Sequence, residues 1–167
     1  MGYQLVETIS VGSGGAASIE FTSIPQDAID LVCLVSGRAT SSSAGSIEVR
    51  LSGGSGANYY QHNLIGNGDY PEGTKGTDSA FQLITNPSTY TSNTFGNMSI
   101  LVANYAASKA TRVSIDAVSE NNGTAAFCRI TNGSWNNTSA VTSLKLFKPG
   151  DNLAQHSTAS LYKITAD

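Results

Sequence analysis

The sequence is poor in charge. Only 13% of its 167 residues are Asp, Glu, Lys or Arg, which is about half the usual share. Its nine Lys and Arg residues are scattered along the chain, and the formal net charge is −3. A nucleic-acid-binding protein needs clustered cations to neutralise phosphate groups. The composition therefore predicts that nucleic acid is not a partner.

Long hydrophobic runs are also missing. No stretch approaches the roughly 18 apolar residues that a transmembrane helix needs. The first residues, Met1–Val11, contain neither the basic region nor the apolar region of a secretory signal. We therefore expect no membrane partner and no signal-directed secretion.

Cysteine is scarce. The only two cysteines, Cys33 and Cys128, lie in apolar runs, and we expect both to be small buried hydrophobic residues. A disulfide between neighbouring strands is an open alternative, although a protein assembled in a reducing cytoplasm would not depend on one. Because suitably spaced His or Cys partners are missing, no metal site is expected at these cysteines.

The chain is rich in small polar residues. Ser, Thr and Asn together supply 52 residues, and Gly adds 17. These residues disfavour long helices, because their side chains compete for backbone hydrogen bonds and glycine has a high conformational entropy to lose. No segment of ten or more residues has a 3.6-residue apolar period, whereas alternation with a period of two recurs throughout.

This alternation predicts about ten short strands. The candidate segments are Tyr3–Val11, Ser18–Phe21, Ile29–Arg38, Ile47–Leu51, Tyr59–Ile65, Phe81–Thr85, Phe95–Tyr105, Arg112–Val118, Ala125–Ile130, Val141–Phe147 and Ser157–Ile164. Many short strands at regular spacing are typical of a sandwich or barrel. We predict one all-β domain over residues 1–167, an antiparallel β-sandwich resembling a jelly roll.

Four segments receive more specific predictions. Ile29–Arg38 is the most apolar stretch, which predicts a central strand buried on both faces. Gly12–Gly15 and Gly53–Gly56 are predicted to be hairpin turns, since neither opens a helix or contains the lysine of a phosphate-binding loop. Gly66–Ser79 is predicted to be a long loop that contacts a partner or carries function.

No catalytic constellation emerges from the sequence. His62 and His156 lie in different strand regions and are expected to be surface polar residues. No Gly-x-Ser-x-Gly elbow is present, which argues against a hydrolase of the α/β type. Asp69, Glu72 and Asp78 could supply oxygen ligands to calcium, but their spacing matches no ordered calcium loop. We therefore predict no catalytic residue, no cofactor and no metal.

The only tryptophan, Trp135, lies in Thr131–Ser139, an Asn-rich segment that is predicted to be a loop. Two interpretations stay open. The indole could be exposed and stack on a sugar or contact a subunit, or it could fold back and cap one end of the core. The exposed alternative makes Trp135, Tyr70, Asn136 and Asn137 candidate partner or glycan contacts.

Several stretches of the chain resemble one group of proteins. They are Tyr3–Val11 with Ile24–Gln26 and Asp30–Val32, Ser92–Asn97 with Ile100–Tyr105, Ser119–Asn122, Gly133–Leu144 and Gln155–Tyr162. In these segments the chain resembles small virion structural proteins of tailed bacteriophages, including marine and cyanobacterial phages. The matching segments consist of predicted strands and turns, and they include no catalytic signature.

The resemblance implies a component of a phage particle, assembled in the host cytoplasm and located in the virion. The first hypothesis is a capsid decoration (cement) protein that binds the major capsid protein or other virion proteins, as a homotrimer or another homo-oligomer. The alternative is a tail or tail-fibre component that binds a host-surface glycan. A polysaccharide-degrading enzyme is a more remote alternative, since it requires a pair of carboxylates in a groove.

Overall fold

The computed structural model describes residues 2–43, 45–67, 71–121 and 126–166. Within them the chain is all-β, with no α-helix. The strands are β1 Gly2–Ser10, β2 Ser18–Phe21, β3 Asp30–Gly37, β4 Glu48–Leu51, β5 Tyr59–Gly66, β6 Pro71–Asp78, β7 Phe81–Gln82, β8 Gly96–Ala103, β9 Thr111–Glu120, β10 Ala126–Trp135, β11 Leu144–Phe147 and β12 Thr158–Thr165.

The strands form two antiparallel sheets. The large sheet has the order β1-β12-β3-β8-β9-β10-β5-β6, and the small sheet has the order β2-β11-β4-β7. Eight strands, β1-β12-β3-β8 opposite β2-β11-β4-β7, follow the pairing order of a jelly roll. The hairpins β5–β6 and β9–β10 add four strands to the large sheet beyond β8. The predicted antiparallel β-sandwich is confirmed, with twelve strands in the described residues instead of about ten.

The core lies between the two sheets, and a period of two places its side chains there. On β8 and β9 the inward residues alternate with outward ones over the whole strand. The buried apolar side chains of these two strands and of the small sheet are Met98, Ile100, Val102, Val113, Ile115, Ala117, Ile19, Phe21, Val49, Leu51, Phe81, Leu144 and Leu146.

Strand β3 is covered by the other sheet on one face only. Leu31, Cys33 and Val35 point into the core, whereas on the opposite face Val32 is 8% exposed and Leu34 is 47% exposed. The prediction that this strand is buried on both faces is therefore wrong at Leu34. The small sheet covers one face of the large sheet, and no other described element covers the other face.

Two segments that were predicted to be loops contain strands. Most of the segment 66–79 is β6, which pairs with β5 along its whole length, and residues 131–135 are the end of β10. Glycine and proline favour turns, but an edge strand such as β6 tolerates both. In β10, Gly133 is required because the backbone of β5 approaches it closely.

The two glycine-rich turns are not hairpins. Gly12–Gly15 leads from β1 to β2 and Gly53–Gly56 leads from β4 to β5, so each connects one sheet to the other. Gly14, Gly15 and Gly53 adopt positive φ angles of 93°, 77° and 67°, which glycine permits without strain. The prediction of a tight turn is confirmed at these glycines, whereas the prediction of paired flanking strands is wrong.

A buried polar network attaches the added hairpins to the sandwich. The Arg129 guanidinium is almost completely buried and donates hydrogen bonds to Gln82 Oε1 at 2.8 Å and Ser46 Oγ at 3.2 Å. Thr131 Oγ1 donates to Asn63 Oδ1 at 2.7 Å. Because buried polar groups need partners, this network fixes β10 and β5 of the large sheet against Gln82 in β7 and Ser46 just before β4.

Candidate functional site

Trp135 is not a surface platform. Its side chain is 1% exposed and belongs to the main core cluster. Its ring centroid lies 6.3 Å from that of Tyr59, which makes an edge contact with Phe81 at 5.0 Å. Tyr59 Oη donates to the carbonyl of Gly54 at 3.0 Å, next to the chain crossing between the sheets. The interpretation that the indole caps one end of the core is confirmed, and the exposed glycan platform is wrong.

The two asparagines predicted to accompany Trp135 do not form a site with it. Asn136 is exposed, and the Asn137 side-chain oxygen accepts a hydrogen bond from the Ser139 backbone amide at 2.8 Å. Tyr70 lies outside the described residues. The buried indole and these surface amides therefore present no common binding surface.

The titratable groups that were considered for chemistry are dispersed. His62 and His156 line different surface depressions. Asp78 accepts a hydrogen bond from Gln61 Nε2 at 2.7 Å, and Asp69 lies outside the described residues. No group of three or more His, Cys, Asp or Glu side chains in the described part of the chain has a geometry that could hold a metal ion.

The most distinctive surface is the side of the large sheet that faces away from the core, here called the outer face. Nine large hydrophobic side chains among the described residues are exposed. All of them except Ile29 lie on the outer face. The eight are Tyr3, Leu5, Leu34, Tyr60, Leu64, Leu101, Val118 and Ile130. Apolar residues scattered singly over a surface are ordinary, whereas their concentration on one face is a feature typical of interaction sites.

Strand register explains how these side chains come together. In the row that crosses the middle of the outer face, Leu5, Tyr162, Val32 and Leu101 are successive partners on β1, β12, β3 and β8. Ser114 on β9 is the first polar residue of this row. The row is therefore apolar from β1 to β8 and polar from β9 onward.

Two shallow depressions flank Leu101 on this face, each with a volume of about 560 Å³. The first is lined by apolar and aromatic groups that include Tyr3, Leu34 and Tyr162. The second contains Tyr60 and Arg112 together with amide and hydroxyl groups. No Asp or Glu lines either depression, so neither offers the carboxylate pair that glycoside hydrolysis needs.

Charge distinguishes the two outward surfaces of the sandwich. In the middle of the outer face, β9 carries Arg112 and Asp116, both exposed, with Ser114 between them. The outward side of the small sheet instead carries a mixed set of charges that includes Glu20, Arg50 and Lys145, with Lys145 Nζ 3.8 Å from Glu20 Oε2. The small sheet thus presents an ordinary solvated surface, whereas the large sheet carries exposed apolar side chains on its outer face.

The cysteines lie on opposite sides of the large sheet. Cys33 faces the core from β3, where burial raises the pKa of its thiol to about 12. Cys128 is exposed on the outer face of β10, so the prediction that it is buried is wrong. Both thiols are free, and two strands separate them in the sheet, which excludes the alternative of a disulfide between neighbouring strands.

Sequence reasoning missed the outer face as a site. The available signal was that both alternating sets of residues in one strand are apolar, as with Val35 and Leu34 in β3 or Ile100 and Leu101 in β8. This pattern indicates a second buried side, but it does not distinguish burial within the domain from burial against a partner.

Comparison with known proteins identifies no family to which this chain belongs. No protein-family model matches the chain, and no curated protein matches it significantly. None of the described segments forms a helix that is long and apolar enough to span a membrane. The fold and the outer face therefore carry the functional reasoning.

Proposed function

We propose that this protein is a structural component of a tailed-phage virion and acts as a capsid decoration protein that stabilises the lattice of the major capsid protein. The observation that carries the proposal is the concentration of exposed apolar side chains on the outer face. A jelly roll is a fold that viral capsid and lectin domains use, and the resemblance of the sequence to phage structural proteins supports a particle component.

The chemistry of the outer face suits stable association. The core of a protein interface is depleted in charge and enriched in aromatic residues. The outer face carries Tyr3, Tyr60 and Tyr162, and its formal charges include Asp30, Lys75, Arg112 and Asp116. A decoration protein binds in many copies, so that modest individual contacts are multiplied by avidity. The protein would then act by burying surface in many repeated contacts, without catalysing a reaction.

Copy number tests this proposal. Virions of the phage that encodes the chain would be purified, denatured and analysed by quantitative mass spectrometry against the major capsid protein. We expect hundreds of copies per particle. A handful of copies, or none, would refute the decoration role.

The outer face can be tested separately from copy number. Ile130→Asp places a charge among its apolar residues, and the matched Lys145→Asp changes a charge on the outward side of the small sheet. With both variants shown to be folded by thermal unfolding, we expect at least a tenfold loss of virion occupancy for Ile130→Asp and little change for Lys145→Asp. Equal occupancy of the two variants would show that incorporation into the virion does not depend on the outer face.

A second candidate function is a tail component that binds a host-surface glycan. The depression beside Tyr60 favours it, because a half-exposed aromatic ring lies near Arg112 and Asn132, which can donate hydrogen bonds to sugar hydroxyls. This site replaces the one predicted at Trp135. Tyr60→Ala should lower binding of the purified protein to host cells at least tenfold, with Tyr3→Ala as a control in the other depression, and the virion should contain only a few copies.

A further inference from the structure

We propose that the outer face is covered by a second copy of this chain, in a two-fold pair whose axis lies in the interface, crosses the strands and passes over Ser114. The inference rests on the proposed function in one respect, namely that virion occupancy depends on burial of the outer face. Here that burial is between two copies of the chain, and the pair would bind the lattice through its remaining surface. The inference goes further by identifying the partner and the register of contact.

The charges on β9 indicate a self-complementary surface. Arg112 and Asp116 lie on the same face of the strand, each two residues from Ser114, and about 13 Å apart at the usual rise per residue. They are therefore too far apart to pair within one chain. A two-fold axis over Ser114 reverses β9 and brings Arg112 of each copy opposite Asp116 of the other. The interface then contains two symmetry-related ion pairs between the copies, as an isologous interface requires.

The same axis also matches the apolar residues. Residues in register with Ser114 meet their own equivalents, so Leu101 faces Leu101 of the second copy, and Val32 and Tyr162 do the same. Lys75 on the edge strand β6 also belongs to this row and faces its own equivalent, so like charges meet at that edge. On β5, Tyr60 and Leu64 lie equally far on either side of His62, the residue in that row. Rotation therefore places Tyr60 opposite Leu64 of the second copy, which pairs an aromatic ring with an aliphatic side chain.

The size of the face is sufficient for a stable pair. Eight strands about 4.8 Å apart span about 34 Å, and strands of about eight residues are about 26 Å long, which gives a footprint of about 900 Å². A standard interface buries about 800 Å² on each partner. Strands β8 and β9 lie in the middle of this face, and β9 carries the charge pair.

Charge reversal tests the register of the pair. Sedimentation equilibrium of the full chain should give a mass of about 35 kDa, twice the 17.3 kDa of one copy. Arg112→Asp and Asp116→Arg each place like charges opposite one another, so each should raise the dimer Kd at least tenfold. The double variant Arg112→Asp/Asp116→Arg restores opposite charges and should return the Kd to within about threefold of the original.

A matched control comes from the small sheet, where Lys145 and Glu20 form an exposed ion pair on the opposite side of the sandwich. Lys145→Asp and Glu20→Arg should leave the Kd unchanged. Thermal unfolding followed by Trp135 fluorescence establishes that every variant is folded, since this residue is the only tryptophan and lies in the core.

The possible outcomes separate this inference from the proposed function. A folded monomer at high protein concentration, a trimer, or a dimer that is insensitive to both single reversals overturns the two-fold pair. If that monomer still occupies virions in hundreds of copies, the decoration role stands and the pairing fails. If the double reversal restores the dimer but virions contain none of the protein, the pairing stands and the decoration role fails.

Discussion

Gly133 should be among the least replaceable residues of this protein. It lies in β10 between β9 and β5, opposite Val113 and Gln61. A Cβ atom at this position would lie 2.1 Å from the backbone oxygen of Tyr60 and 2.9 Å from Cε1 of the Phe81 ring. Neither neighbour can move freely, because the carbonyl belongs to β5 and Phe81 is completely buried in the core.

The cost of Gly133→Ala follows from that geometry. Adding a methyl group to a packed core usually costs about 1–3 kcal/mol, and occasionally more. Here the contact is with backbone, so relief requires β5 and β10 to separate and weakens their ladder of hydrogen bonds. We expect a loss of about 3 kcal/mol or more in the free energy of unfolding. For a chain of this length that corresponds to a fall in Tm of about 6–12 °C.

Denaturant and thermal unfolding, monitored by Trp135 fluorescence two residues away, measure this effect directly. Gly73→Ala is a matched control in the edge strand β6, where an added Cβ meets no atom within 4 Å. It should leave stability within about 0.5 kcal/mol, as for an ordinary surface substitution. If Gly133→Ala were as stable as Gly73→Ala, the close approach of β5 to β10 would be refuted.

Further predictions concern buried groups. The Arg38 guanidinium donates to four backbone carbonyls between residues 88 and 94, so Arg38→Met should lower stability by about 3 kcal/mol and accelerate hydrogen exchange in that segment. Trp135→Ala should cost about 3–5 kcal/mol in denaturant unfolding. Burial raises the pKa of Cys33 from 9.0 to about 12, so the unfolded chain ionises first and stability falls as pH rises above about 9; Cys33→Ala should flatten that slope by up to about 1.4 kcal/mol per pH unit. In the folded monomer, a thiol reagent should label Cys128 rapidly and Cys33 only after unfolding.

Local pattern predicted individual strands well but could not predict their partners. The alternation of Met98, Ile100 and Val102 with Ser99 and Leu101 predicted a strand over Phe95–Tyr105, and the structure places β8 at Gly96–Ala103. The pairing of strands is non-local. Strand β11 lies between β2 and β4, which are roughly a hundred residues earlier in the chain, and no local pattern encodes this position.

The prediction of a loop around Trp135 failed for a similar reason. Its neighbours Ser134 and Asn136 are polar, and Asn132-Gly133 resembles a turn, so an exposed loop was a reasonable expectation. In the structure Gly133 makes room for the backbone of β5, which brings Tyr59 alongside the indole. Residues that are distant in sequence determine the burial of Trp135, and its polar neighbours carry no information about them.

The incorrect prediction for β3 supports the interaction surface. Its sequence predicted burial on both faces, and the domain covers only one, which leaves Leu34 exposed. Leu101 on β8 and Ile130 on β10 are likewise apolar side chains that the domain leaves exposed. A solvated sheet face normally alternates apolar inward residues with polar outward ones, yet these central strands carry apolar residues outward, beside the self-complementary charges of β9. An assembly that covers the outer face would supply the burial that the sequence encodes and the single domain lacks.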